Sequence, residues 1–94
     1  MNSDYKAKSP LEAYKKAWEA IAITWDNTQL IRFLPQATLH DYRDGAFTFC
    51  VPTQHMANVM SRHAELSIIR RTLELYMPEG MTVSVAIISG EVQP

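Results

Sequence analysis

The chain has 94 residues, of which 47% are hydrophobic and three are glycine, and its formal net charge is −1 at pH 7. This composition predicts one packed domain rather than a disordered chain, with little volume left for a deep active-site cleft. The near-neutral charge argues against a dedicated nucleic-acid-binding protein, since such proteins usually carry a strong basic excess. The single cysteine excludes an intramolecular disulfide and a thiolate metal cluster, and it is typical of a reducing cytoplasm.

The N-terminal segment has no apolar run, and no part of the chain approaches about 18 consecutive apolar residues. We therefore expect neither a signal peptide nor a membrane span, and we expect a cytoplasmic protein. Residues 1–8 are small and polar, which predicts a flexible arm. Residues 9–90 are expected to form one domain, followed by a tail at residues 91–94.

The segment "SPLE" predicts where the first helix begins. Ser9 can cap this helix, Pro10 suits its first position, and Glu12 can complete a capping box. The apolar residues that follow recur at spacings of three and four, which predicts one helical stripe. The stripe consists of Leu11, Tyr14, Trp18, Ile21 and Trp25.

A short second helix and a hairpin are expected next. Asp26 or Asn27 can cap the helix, and Pro35 ends it. Its apolar residues are Leu30, Phe33 and Leu34. Residues 37–42 and 46–51 predict two strands joined by the turn "RDG", in which Gly45 supplies the unusual backbone dihedral. In the second strand one face carries Phe47, Phe49 and Val51, and the other carries Thr48 and Cys50.

The second half of the chain predicts two helices and a strand. Pro52 ends the preceding strand, and Thr53 can cap the third helix. The helical pattern slips near Ser61–Ala64, which indicates a bend or two successive helices reaching Met77. The alternating segment "MTVSVAIIS" predicts the last strand.

The predicted order α-α-β-β-α-α-β indicates an α+β domain with a three-stranded sheet and helices packed on one face. This order is similar to one form of the KH domain, without its GXXG loop. The predicted core consists of Trp18, Ile21, Leu39, Phe47, Phe49, Val51, Val59, Leu66, Ile69, Leu73, Val83 and Val85.

The sequence offers few groups for catalysis. No two of His40, His55 and His63 have the i, i+4 spacing of paired metal ligands on a helix. Cys50 lies between two phenylalanines within a strand, where a small packing residue is the usual interpretation. No glycine-rich run is present to hold a phosphate. We therefore expect a protein that is not an enzyme and that has no cofactor and no metal.

Nucleic-acid binding is an alternative. The junction where a KH domain has its GXXG loop reads "SRHA" here, so the clamp is absent. Weak, salt-sensitive binding to a phosphate backbone would use the basic residues of two helices and their junction. These residues are Lys15, Lys16, Arg62, Arg70 and Arg71. Acidic residues near Arg70 and Arg71 favour i, i+4 ion pairs on a solvated face instead.

A family resemblance extends from about Leu11 to Ile87. Its main pieces are the hairpin "L-x-D…G-x-F-T-F-x-V-P", the segment "FTFCVPTQHMANVM", the helix "ELSIIRRTL" and a closing alternating strand. In these features the chain resembles the N-terminal domain of the bacterial replication initiator DnaA. The resemblance implies weak self-association and binding to the replicative helicase or to an initiator regulator. It covers neither the ATPase nor the DNA-binding portion of the initiator.

Individual positions depart from that family. Tyr14 matches the exposed aromatic residue that the family uses for self-association, and Phe33 stands near the family's tryptophan. Gln29 stands near an acidic residue that the family uses for helicase and regulator contacts. The resemblance and the aromatic content together predict one partner-binding face. It consists of Tyr14, Trp25, Thr28, Gln29 and Leu30.

A second family is also similar. The C-terminal domains of the DNA polymerase III tau subunit share the sequence of hydrophobic hairpin, polar cap, long helix and closing strand, and "TQLIRFLPQATLHD" fits their helix-to-strand entry. This resemblance implies binding to the polymerase subunit. A phage protein that mimics the host module is a third interpretation. All three predict a protein-interaction module of bacterial or phage DNA replication, without membrane contact.

Overall fold

The computed structural model describes residues 6–26 and 28–90, so the predicted tail and residues 1–5 of the predicted arm lie outside the described residues. The elements are α1 (Pro10–Thr24), α2 (Thr28–Phe33), a 3-10 turn (Leu34–Gln36), β1 (Thr38–Arg43), β2 (Ala46–Val51), α3 (Gln54–Met60), α4 (His63–Tyr76) and β3 (Ser84–Ser89). The predicted α+β class and element order are confirmed.

The helix starts follow from their caps. The Ser9 hydroxyl accepts a hydrogen bond from the Glu12 backbone N–H at 3.2 Å, as predicted. The Glu12 carboxylate accepts from the N–H of Lys8 at 2.9 Å, so the capping box closes one residue earlier than expected. Thr53 caps α3 through the Met56 N–H at 3.2 Å, which confirms that prediction.

The three strands form one sheet in the order β1-β2-β3. β1 and β2 pair antiparallel across the predicted turn, where Asp44 (φ 46°) and Gly45 (φ 90°) both have positive φ. The register shifts between Leu39 and Asp41, which places a bulge at His40. β3 pairs parallel with β2, because α3 and α4 form the crossover between them.

Aromatic rings fill the core between the sheet and the helices. Phe49 is fully buried, with ring centroids 5.5 Å from Tyr14, 4.8 Å from Trp18 and 5.8 Å from Phe47. The predicted faces of β2 are therefore confirmed. Eight predicted core residues are buried: Ile21, Phe47, Phe49, Val51, Val59, Ile69, Leu73 and Val83.

Other parts of the predicted core are wrong. Leu66 is half-buried and lies outside the core cluster, and Trp18, Leu39 and Val85 are half-buried at its margin. The buried face of α1 overlaps the predicted stripe only at Tyr14 and Ile21, and Ala13 and Ala17 complete it. Alanines let the α1 backbone approach its neighbours closely, so the bulkier residues of the stripe lie toward its sides. Leu11 and Trp25 are consequently exposed.

Helices α1 and α4 pack against each other in antiparallel orientation. Near the start of α1, the Ala7 N–H donates to the carbonyl of Tyr76 at the end of α4, at 2.9 Å. At the other end of α1, Trp25 lies beside the first turns of α4. No described helix combines the length and the apolar character needed to cross a membrane.

Candidate protein-docking surface

The most exposed aromatic feature at the end of α1 is Trp25. It is the C-cap of α1, in an extended conformation, and its backbone N–H donates to the Ile21 carbonyl at 2.9 Å. Because the helical path stops here, the side chain leaves the buried face of α1 and is 43% exposed. Ile23, in the same last turn, is 86% exposed.

A hollow of about 310 Å³ lies between the Trp25 indole and the start of α4. We call it the Trp25 hollow. It is lined by Trp25, His63, Ala64, Ser67, Ile68 and Arg71. The antiparallel packing of α1 and α4 creates it, since the end of one helix lies beside the start of the other.

The lining combines apolar surface with a cation. Ile68 is half-buried and packs against the core cluster, whereas Arg71 is exposed and has no salt bridge to any residue in the described ranges. Tryptophan and arginine are the residue types most enriched among the residues that dominate protein interfaces. The hollow can therefore receive an apolar side chain while Arg71 pairs with an acidic group beside it.

Two members of the predicted partner-binding face are buried. Tyr14 is only 9% exposed and packs edge-on against Trp18, with ring centroids 5.4 Å apart. The expectation that Tyr14 is exposed is wrong, because the buried face of α1 passes through it. Leu30 is fully buried, since α2 packs against both α1 and α3.

The remaining members differ in their position. Trp25 is exposed and Gln29 is half-buried. Thr28 is the first residue of α2, but its side chain lies outside the described part of the chain. The accessible part of the predicted face is therefore centred on Trp25. The packing of α4 against α1 extends it toward α4 rather than along α2.

The predicted basic patch is divided by the fold. Arg70 lies 3.0 Å from Glu74, which confirms the expected i, i+4 pair for Arg70, whereas Arg71 has no such pair among the described residues. Lys16 also lies 3.9 Å from Glu12 in an i, i+4 pair. Lys15 is exposed on α1. The structure therefore places two of the five cations beside carboxylates within their own helices.

The three arginines lie at or after the α3–α4 junction but do not share one surface. Arg62 is exposed and precedes α4, without a side-chain cap hydrogen bond. Arg71 lines the Trp25 hollow, whereas Arg70 lines a second hollow of about 460 Å³. The second hollow lies between α4 and β3 and is lined by Ser61, His63, Leu66, Ser67, Arg70, Ser84 and Val85.

The histidines lie on separate elements. His40 is exposed at the β1 bulge, His55 packs against the Phe33 ring at a centroid distance of 6.1 Å, and His63 begins α4. Among the described residues, no three side chains of histidine, cysteine, aspartate or glutamate come together in a group suited to a metal ion. His63 is shared by the two hollows.

Sequence reasoning missed the α4 side of the Trp25 hollow. The available signal was Ile68, which is apolar but lies off the stripe of Leu66, Ile69 and Leu73 in α4. An off-stripe isoleucine beside an arginine is compatible with a second contact surface on the same helix.

Comparisons with protein-family models, with curated proteins and with solved structures find no match to this chain.

Proposed function

We propose that the protein is a non-catalytic interaction module of bacterial or phage DNA replication, and that the Trp25 hollow is its docking surface. The observation that carries this proposal is the 43% exposed indole of Trp25 beside a hollow lined by Arg71. Exposed tryptophan contributes large contact area, and arginine adds directional pairing with carboxylates. The net charge of −1 favours a protein partner over a nucleic acid.

The partner surface is expected to offer an apolar side chain with an acidic residue next to it. By the resemblance to the initiator domain, the partner is the replicative helicase or an initiator regulator in the cytoplasm. By the resemblance to the tau subunit, it is the polymerase subunit of the replisome. Weak self-association would accompany binding in the initiator-like case. These partners share one requirement, which is an accessible Trp25.

The test compares two exposed apolar residues of α1. Trp25→Ala is expected to weaken binding to the purified partner by at least roughly tenfold, because it removes the anchor of the contact. Leu11→Ala is the matched control, since Leu11 is also exposed but lies near the other end of the helix. Affinities for purified helicase, initiator regulator and polymerase subunit are measured by calorimetry. Equal affinities of the two variants for every partner would exclude the Trp25 hollow.

A second candidate function is weak binding of single-stranded nucleic acid. It is favoured by the second hollow between α4 and β3, whose lining includes Arg70, His63 and three serines. Phosphate contacts would make the affinity fall steeply between about 50 and 200 mM salt. Titration of a fluorescent single-stranded oligonucleotide separates the two functions, because binding to a mainly apolar hollow changes little over that range.

A further inference from the structure

β3 is the edge strand next to β2, and its outward backbone groups at Val85 and Ile87 are the feature of interest. The Ser84 N–H donates to the Gly45 carbonyl at 2.9 Å, and the Gly90 N–H donates to the Val51 carbonyl at 2.8 Å. Even-numbered residues of β3 therefore point their backbone groups toward β2, and the alternation of a strand turns those of Val85 and Ile87 outward. Within the described residues, neither has a backbone partner on the outer side.

The two edges of the sheet are protected to different degrees. β1 has the bulge at His40 and the charged residues Asp41 and Arg43, which are features that discourage strand addition. β3 reads "SVAIIS" and has no charge, no proline and no shift in its register with β2. An uncharged, regular edge of six residues is the kind of edge that accepts another strand.

Space for an added strand lies next to this edge. The second hollow, of about 460 Å³, has Ser84 and Val85 on one side and Leu66 and Arg70 of α4 on the other. Leu66 is half-buried and outside the core cluster, so its apolar surface is available to a neighbour. Apolar side chains of an added strand would enter the hollow beside Val85 and contact Leu66.

We propose that β3 pairs with β3 of a second copy of this chain, antiparallel, with Ala86 opposite Ala86 on a two-fold axis perpendicular to the sheet. In this register Val85 of each copy exchanges two backbone hydrogen bonds with Ile87 of the other, which satisfies the outward groups. The same symmetry keeps the helices of both copies on one face and places Ile87 of one copy beside Val85 of the other, at the second hollow.

A second copy fits this edge better than a charged segment. It presents the same uncharged strand, and each copy has a net charge of only −1, so repulsion between copies is small. The pairing also covers Ile88, which is 38% exposed and would lie opposite Ser84 of the other copy. A two-fold strand pair closes on itself and forms a dimer rather than a fibre. This surface is separate from the Trp25 hollow.

Disulfide trapping tests the register. In a Cys50→Ser background, Ala86→Cys places two thiols across the two-fold axis at a Cα separation of about 4.5 Å, within the range that a disulfide spans. Oxidised glutathione is expected to link this variant into a covalent dimer. Thr48→Cys is the matched control, because Thr48 neighbours Ala86 on the central strand and lies too far from its copy. Equal cross-linking of both variants would overturn the proposed register.

Sedimentation equilibrium tests the dimer itself, from about 10 μM to 1 mM protein. The wild-type chain is expected to dimerise reversibly. Ala86→Lys should abolish dimerisation, because it places two like charges directly opposite each other at an exposed position. Thr38→Lys, on the other edge strand, should leave dimerisation unchanged and controls for added charge.

Three results would overturn the proposal. The first is a wild-type chain that stays monomeric throughout this concentration range. The second is a dimer that survives Ala86→Lys, since self-association would then use another surface. The third is a chain that is monomeric alone and whose Val85 and Ile87 amides become protected from hydrogen exchange only with a partner protein, which would assign the edge to a foreign strand. Trp25→Ala should not affect dimerisation, so this proposal and the proposed docking surface fail independently.

Discussion

Phe49 is the residue at which the aromatic rings of the core meet. It is fully buried and contacts Tyr14, Trp18 and Phe47. Phe49→Ala is expected to lower the free energy of unfolding by ~3–5 kcal/mol, because it removes buried area and leaves a cavity. Urea denaturation followed by circular dichroism measures the change. Ile23→Ala, at an 86% exposed position, should change stability by no more than about 0.5 kcal/mol.

Two glycines with similar backbone dihedrals allow the stability cost of backbone strain to be distinguished from that of steric overlap. Gly45 and Gly80 have φ of 90° and 83°, so alanine is strained at both. A Cβ at Gly45 would lie 2.2 Å from the Thr82 carbonyl oxygen, whereas none of the surrounding atoms lies within 4 Å of one at Gly80. Gly80→Ala should cost about 1–2 kcal/mol and Gly45→Ala clearly more, as measured by thermal unfolding. Equal losses of stability in the two variants would mean that the backbone near the hairpin turn shifts to accommodate the added Cβ.

Single residues show where sequence reasoning reaches its limit. Period-two alternation predicted the buried face of β2, because a strand has only two faces and Phe47, Phe49 and Val51 share one. A helix has no such binary choice, so the spacing of the large apolar residues did not show that Ala13 and Ala17 share the buried face of α1 with Tyr14 and Ile21. The resemblance placed Tyr14 and Trp25 together on one partner-binding face, but the fold buries Tyr14 and leaves Trp25 exposed.

Elements were predictable where a local hydrogen bond defines them. Ser9 and Thr53 cap their helices, Pro52 follows the last residue of β2, and the break at Ser61–Ala64 separates α3 from α4. The hollows beside α4 were not predictable in this way. They depend on how α4 is placed against α1 and β3, which no local sequence signal encodes.

The α1 cap supports a prediction for one element. Ser9→Ala should lower the free energy of unfolding by about 1 kcal/mol, because it removes the acceptor for the Glu12 N–H at the start of a 15-residue helix. Ser9→Asp should restore the stability, since its carboxylate also accepts at this position and favours the helix N-terminus. Chemical denaturation of the three proteins gives the comparison. Equal losses of stability in Ser9→Ala and Ser9→Asp would show that the Ser9 hydroxyl does not stabilise the helix by accepting the Glu12 N–H.

At the scale of the whole molecule, two separate hollows lie beside α4. Trp25 and Arg71 form a hollow at one end of the α1–α4 pair. The edge of β3 and Arg70 form another, between α4 and the sheet. α4 borders both hollows with its outer residues, while Ile69 and Leu73 are buried in the core. One helix can therefore border both of the proposed contact surfaces.

The described residues of the arm, which precede α1, form hydrogen bonds with the C-terminal end of α4. The Lys6 ammonium donates to the Met77 carbonyl at 2.8 Å, and the Ala7 N–H donates to that of Tyr76 at 2.9 Å. Both acceptors lie at the end of α4, whose last turn has no basic residue of its own. The arm therefore supplies the donors that the end of this helix lacks.

Paired truncations test this contribution to the stability of the whole domain. Removal of residues 1–7 should lower the free energy of unfolding by about 1–2 kcal/mol, because two carbonyls at the end of α4 lose their partners. Removal of residues 1–5 alone keeps both hydrogen bonds and should change it by much less. Hydrogen exchange should show faster opening of the end of α4 only in the longer truncation. If both truncations behave alike, the stability of the helix end does not depend on Lys6 and Ala7.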